Sequence, residues 1–258
     1  MKKYFSLAIL LSVSAVSCKL FDKTAVRDIT SEVLPDSRIK FFNFAPSTPK
    51  LNFYAGTTKM TAVQSTTGSD TLGVVYPSAA GGGLYSGIAA GSTTLTAKLA
   101  TPGADLGLAI ASVTQTIEKG KYYSYYLSGP YSTGTKTAAS FIVEDPIPAA
   151  IDYTMAHIRI VNAVSDATGP LTLWAKNTTT LVDAAYGSAV AYQAAGTFVT
   201  IPEGTYDLGA RYTGSATNVT GLSLTGQTFV GGRVYTISAR GVTTTASTMG
   251  LSNTQNTR

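Results

Sequence analysis

The stretch Ser37-Arg38-Ile39-Lys40-Phe41-Phe42-Asn43-Phe44-Ala45 lines up, without a gap, on Ala156-His157-Ile158-Arg159-Ile160-Val161-Asn162-Ala163-Val164. Both read as strands, because basic and apolar residues alternate at period two, and each reaches an Asn suited to leaving a strand. The correspondence continues in the same order. Leu51-Asn52-Phe53-Tyr54 matches Leu171-Thr172-Leu173-Trp174, and Ile88-Ala89-Ala90-Gly91-Ser92-Thr93 matches Ile201-Pro202-Glu203-Gly204-Thr205-Tyr206. Finally the run from Gln115 to Tyr125 matches that from Gln227 to Ile237. An ordered series of matches predicts two tandem copies of one domain. More residues separate Asn43 from Tyr123 than Asn162 from Tyr235, so the first copy carries extra loop, around Gly68 to Gly83.

Each copy offers about seven short strands parted by Gly, Pro, Asn and Thr turns, the spacing of an antiparallel sandwich. With 25 Gly, 15 Tyr and only 13% charged residues, strands and turns are favoured over helices. Gly120-Lys121-Tyr122-Tyr123 and Gly232-Arg233-Val234-Tyr235 resemble the tyrosine corner of immunoglobulin-like folds, in which the hydroxyl caps nearby backbone. The expected fold is all-β, two tandem immunoglobulin-like antiparallel β-sandwiches. No disulfide accompanies it, so Ile39, Phe41, Leu51, Phe53, Ile158, Ile160, Leu171 and Leu173 are expected to build the cores. The first sandwich is placed at 37–143 and the second at 156–241. Between them 144–155 reads as a linker stiffened by Pro146 and Pro148, and 242–258 reads as a polar tail.

Lys2 and Lys3 precede an uncharged run from Phe5 to Val16, too short to span a bilayer and of the length of a secretory signal. Residues 1–17 are therefore read as a signal peptide. Ala15-Val16-Ser17-Cys18 resembles the lipobox of bacterial lipoproteins, in which the cysteine is acylated and becomes the first residue. Cys18, the sole cysteine, would carry the lipid (palmitate among the acyl chains), and 18–36 would be the tether. This places the protein in the cell envelope, in the outer membrane. The net charge of +5 includes Lys2 and Lys3, and the remaining basic residues are dispersed. No nucleic-acid footprint results.

A strand ending in Val-Asn-Ala, an apolar strand closing on an aromatic, Pro-Glu-Gly-Thr-Tyr, then a Gly-x-x-Tyr strand form a succession that resembles the domain-of-unknown-function 4397 family of bacterial envelope proteins. The resemblance covers nearly all of residues 37 to 241. It implies an extracytoplasmic immunoglobulin-like sandwich and brings no catalytic residues with it.

One histidine and fourteen acidic residues leave little material for a metal cage or a nucleophilic triad, and neither a metal nor a cofactor is expected. His157 has Arg38 as its counterpart and reads as a basic residue on a solvated face. A carboxylate pair for glycoside hydrolysis is spatial and stays open among Asp105, Glu118, Asp166, Asp183, Glu203 and Asp207. Glu144-Asp145, before Pro146, reads as a cap or turn. The aromatics carry more: Tyr54 and Trp174 occupy matching outward positions, and Tyr122 and Tyr126 point opposite to Tyr123, Tyr125 and Leu127. Outward rings stack on sugars or anchor a protein partner; the competing reading is that they pack between the domains. Thr71, in Asp70-Thr71-Leu72, resembles a short O-glycosylation acceptor of envelope proteins. The expected role is a non-catalytic, lipid-anchored binding or structural module, meeting a glycan or an envelope protein. A small glycan-degrading hydrolase and a subunit of an envelope assembly are the alternatives.

Overall fold

A computed structural model describes residues 36–61, 73–150 and 152–256, and its strands form two matching series. The first comprises β1 (Ser37–Phe44), β2 (Leu51–Ala55), β3 (Thr58–Lys59), β4 (Ser78–Ala79), β5 (Ser86–Ile88), β6 (Gly91–Leu99), β7 (Ala109–Ile117), β8 (Tyr122–Ser132) and β9 (Thr137–Glu144). The second comprises β10 (Met155–Val164), β11 (Leu171–Asn177), β12 (Asp183–Val190), β13 (Ala194–Ala195), β14 (Val199–Pro202), β15 (Gly204–Tyr212), β16 (Ser223–Phe229), β17 (Val234–Val242) and β18 (Thr245–Gln255). β1 answers to β10, β2 to β11, and so on to β9 and β18.

Each series folds as a β-sandwich. In the first, sheet β4-β1-β8-β9, with β5 also paired to β1, packs on sheet β3-β2-β6-β7; in the second, β13-β10-β17-β18, with β14 on β10, packs on β12-β11-β15-β16. Pairing is antiparallel except that β1 runs parallel to β8 and β10 to β17, which inserts the opening strand of each copy into the middle of its sheet. Ile39 and Phe41 of β1 join Tyr123, Tyr125 and Leu127 of β8 in the first core, facing Leu51, Phe53 and Leu95 of the other sheet. Ile158, Ile160, Tyr235, Ile237, Leu171, Leu173 and Leu208 repeat the arrangement. The tyrosine corners are formed: the Tyr123 hydroxyl accepts from Glu118 N at 3.0 Å and the Tyr235 hydroxyl from Val230 N at 3.2 Å. Both Asn residues turn the chain as well, Asn43 Oδ1 accepting from Ala45 N at 3.3 Å and Asn162 Oδ1 from Val164 N at 3.0 Å.

The other faces of β1, β8, β10 and β17 are not solvated, because the two sandwiches meet there. Phe42, Phe44, Tyr126 and Phe141 of the first pack on Val161 and Ala163 of the second. Phe42, Tyr126 and Phe141 form a stack with ring centroids 4.6 and 5.1 Å apart. Polar contacts across this joint follow a local twofold. Lys40 Nζ donates to Gln255 O and Asn256 Oδ1, each at 2.8 Å. Its counterpart Arg159 donates to Glu144 O at 2.9 Å and to Asp145 Oδ1, at the equivalent end of β9. Lys40 Nζ lies 4.2 Å from the Tyr85 ring centre and the Arg159 guanidinium 4.6 Å from that of its equivalent, Phe198. Tyr76 meets Arg240 at 3.3 Å, and the equivalent Tyr192 meets Ser128 at 2.9 Å. On the axis itself the Tyr126 hydroxyl faces its own counterpart, Ser238 Oγ, at 3.3 Å.

Three expectations change. Each copy has nine strands rather than about seven, the extra ones being short pieces beside β1 and β10. The polar tail is a strand: β18 pairs along β17 and buries Met249 and Leu251, since an edge strand needs apolar residues only on its core face. Glu144 and Asp145 belong to the first sandwich rather than to a linker, Asp145 being 1% exposed and bonded by Ser124 Oγ and the Tyr85 hydroxyl, both at 2.7 Å. An Asp beside a proline carries no local sign of a buried partner 14 residues away.

Asp145→Ala leaves Arg159 buried without its anion and is expected to cost roughly 3 to 5 kcal/mol in urea unfolding. Burial, opposed by the Asp145 charge and aided by that of Arg159, lowers the Lys40 pKa from 10.5 to about 8. The unfolded chain holds that proton to higher pH, so the penalty for burying charged Lys40 is full below pH 8. Stability therefore rises between pH 8 and 10, on the order of 2 kcal/mol. Beyond about pH 10 the slope reverses, because burial raises Tyr125 and Tyr126 to about 12 while unfolded tyrosines ionise. Lys40→Met should abolish the rise in a pH series of melts and leave the later fall.

Candidate functional site

The sheets β3-β2-β6-β7 and β12-β11-β15-β16 face away from the joint, and each carries one ring paired with one cation. On β2, Tyr54 lies opposite Thr96 and diagonal to Lys98 of β6, whose Nζ is 4.5 Å from the ring centre. On β11, Trp174 lies opposite Gly209 and diagonal to Arg211 of β15, whose guanidinium is 4.0 Å from the ring centre. Antiparallel pairing brings such diagonal neighbours within reach of long side chains. Gly209 has a steric purpose: a Cβ there would come within 2.2 Å of Asn218 Oδ1, which lies over the strand. That oxygen accepts from Arg211 Nε at 2.8 Å, while Asp183 accepts from Arg211 Nη2 at 2.6 Å. The guanidinium is thereby held over the indole by two acceptors.

Beside Asn218 opens a cleft of about 390 Å³ whose walls include Thr168, Tyr212, Ser215, Thr217 and Thr243. Hydroxyls also pair on both outer sheets, Thr94 with Thr114 at 3.0 Å and Thr205 with Thr228 at 3.1 Å. Rings, cations and hydroxyls in this arrangement offer stacking and hydrogen bonding to a flat polar ligand.

Of the outward aromatics expected from the sequence, Tyr54 and Trp174 are on the outer sheets, half-buried under their cations. Tyr126 is not outward: it is fully buried in the joint. Tyr122 is half-buried and packs edge-on against Tyr85 at 5.0 Å, so it too belongs to the joint side. Alternation assigns these two to the right face, and that face is covered by the second sandwich. Cys18 and Thr71 lie outside the described residues. His157 is half-buried rather than solvated; burial lowers its pKa against the opposing pull of Asp152, and its buried Nε2 has no hydrogen-bond partner among the described residues.

Of the acidic candidates Glu203 is exposed, and the others are spread out and tied down. Asp105 pairs with Lys136 at 2.5 Å, Asp183 with Arg211, Asp166 accepts from Thr243 N at 2.6 Å, and Asp207 accepts from Gly226 N at 2.9 Å. Glu118 does meet a second acid, Glu144, but across Lys121, which bonds them at 3.0 and 3.1 Å. Both acids sit on open surface, engaged by the same ammonium. Lys98, Arg211 and Asn218 escaped the sequence reading. Lys98 and Arg211 hold the same place after the matched Gly91 and Gly204, so extending that alignment finds them.

No protein-family model matches the chain, and no curated protein does. Among solved structures, a leucine-rich repeat protein from Bacteroides thetaiotaomicron matches over 78% of this chain at 13% identity and a TM-score of 0.19, the chain spanning 25% of that protein. A proposed cell adhesion protein from Bacteroides ovatus matches over 86% of this chain and 95% of its own, at 12% identity and a TM-score of 0.22. Likeness at this level carries no functional argument.

Trp174→Ala removes a surface stack rather than a core side chain. It should cost about 1 to 2 kcal/mol, against roughly 2 to 5 for Leu173→Ala on the same strand, in matched urea titrations.

Proposed function

We propose that this chain is a non-catalytic envelope lipoprotein, exported behind residues 1–17, acylated at Cys18 and related to the domain-of-unknown-function 4397 proteins. Its two sandwiches act as one rigid body that presents a glycan-binding face on each outer sheet. The observation that carries this reading is the repetition of the ring and cation pair, Tyr54 with Lys98 and Trp174 with Arg211, at equivalent places on both outer sheets. The hydroxyl-rich cleft beside Arg211 supports a polar, uncharged ligand such as a polysaccharide segment. The polar network of the joint supports rigidity, because a ligand face held on a fixed frame loses less freedom on binding.

The protein lacking residues 1–18, probed on a glycan array, is expected to bind saturably and to lose that binding in Trp174→Ala or Tyr54→Ala. A silent array, or binding indifferent to both variants, overturns the glycan reading and leaves an envelope protein as the partner. The anchor is read separately, by whether Cys18→Ser shifts the full chain from membrane to soluble fractions.

A further inference from the structure

Four connections meet at the end of the second sandwich where β10 begins. Residues 152–154 lie against the β16–β17 turn, Gly232 N donating to Asp152 O at 3.1 Å, and a Cβ on Gly231 would have no room beside Tyr153 O. Next comes the β14–β15 turn, with Glu203 Oε2 3.4 Å from that same Cβ position, and then the β11–β12 turn, where Thr178 N donates to Thr205 O at 3.0 Å. Apolar side chains crown them: Tyr153 is 81% exposed, Leu181 65% and Val182 61%, and Val230 is exposed as well. Leu181 has a φ of 60°, in the left-handed region that bulky residues seldom enter and glycine or asparagine usually fills. It belongs to neither core, so packing does not account for a leucine at that place. The equivalent end of the first sandwich is ionic instead. Glu118 stands where the second has Val230, and Lys119 pairs with Asp36 at 3.3 Å.

Contacts across the joint keep their order along the strands. Near the strand starts Lys40 meets Asn256, whose N–H donates to Val234 O at the first residue of β17. Further along Tyr126 meets Ser238, and beyond that Tyr76 meets Arg240. β1 and β10 therefore run the same way, and Asp36, just before β1, lies at the same end of the molecule as Tyr153, just before β10. Everything N-terminal to Asp36, Cys18 included, joins the sandwiches at that end, and the eighteen residues from Cys18 to Asp36 reach at most about 65 Å. We infer that this apolar end docks on a lipid surface, with Leu181, Val182 and Val230 entering the acyl boundary and the Tyr153 ring lying at headgroup level. The inference rests on the reading of Cys18 as the anchor, because a few side chains hold a bilayer only when a tether keeps them near it. Leu106 and Leu108 are exposed too, but at the opposite end, where Asp105 pairs with Lys136 of the β8–β9 hairpin.

The test supplies a tether that does not depend on acylation. Residues 19–258, which keep both sandwiches, carry an N-terminal hexahistidine and are held on phosphatidylcholine vesicles containing a nickel-chelating lipid. Without Cys18 the chain takes an environment-sensitive dye at one new cysteine, either Thr180→Cys beside Leu181 or Thr133→Cys on the exposed β8–β9 hairpin. The dye at position 180 should shift its emission to the blue and be quenched by spin-labelled acyl chains at least about threefold more than the dye at position 133. Leu181→Gly with Val182→Ser, added to Thr180→Cys, should remove that difference. Glycine suits the φ at 181, so the melting temperature should not fall, which separates lost contact from lost fold. Equal quenching at the two positions, or quenching indifferent to the double variant, overturns the inference. So does water-like emission at position 180, which would leave this end to a protein partner. The fractionation of Cys18→Ser decides the anchor by itself, so the two readings fail separately.

Discussion

Two cations withdrawn from water between two apolar sheets set the terms for the rest of the molecule. Arg159 and Lys40 are 2% and 1% exposed, and removing such charges from solvent costs several kcal/mol each unless hydrogen bonds and an anion replace the lost water. Asp145 supplies the anion, and its second oxygen is engaged by Ser124 and Tyr85. Thr236 closes the other end, accepting from Arg159 Nε at 3.2 Å and from Asn256 at 2.8 Å. Lys40 has a carbonyl, an amide oxygen and the Tyr85 ring beside it, and burial makes its proton more loosely held than that of an ordinary lysine. Satisfying these groups requires one relative placement of the sandwiches, whereas the ring stack beside them would tolerate some sliding.

Much of this was legible beforehand, and the misreadings share a cause. Period-two alternation tells which residues share a face, and it sorted Ile39 and Phe41 from Lys40 and Phe42 correctly. It does not tell what lies against the second face. Strands such as Lys40-Phe41-Phe42-Asn43-Phe44 and Tyr122 to Leu127 are nearly continuous in apolar or aromatic residues, the composition of strands buried on both sides. Read that way, Tyr126 and Arg159 would have been assigned to a covered surface. β18 was missed for the converse reason: its Thr, Ser and Asn residues conceal the alternation of Met249 and Leu251.

The outer sheets were easier because the joint between the sandwiches lies on the opposite sheets. Tyr54 and Trp174 stand where alternation put them, and the repeat alignment, carried seven residues past Gly91 and Gly204, reaches their cations. Arg211 has acceptors on two sides, whereas Lys98 makes the same ring contact with a compact ammonium, so the two faces are related without being interchangeable. The joint and the faces thus divide the labour: each sandwich turns one sheet inward to fix geometry and the other outward.

The order of the repeats has a consequence in time. Proteins are made from the N-terminal end, so the first sandwich is complete well before residues 234–256 exist. During that interval Lys40 lacks the Gln255 and Asn256 oxygens that cap it across more than two hundred residues, and Tyr126 has no Ser238 against it. The larger, more aromatic half of the joint is therefore the half that waits. The nascent first sandwich is the stage at which a chaperone has most to shield, and slow delivery of the second sandwich lengthens that exposure.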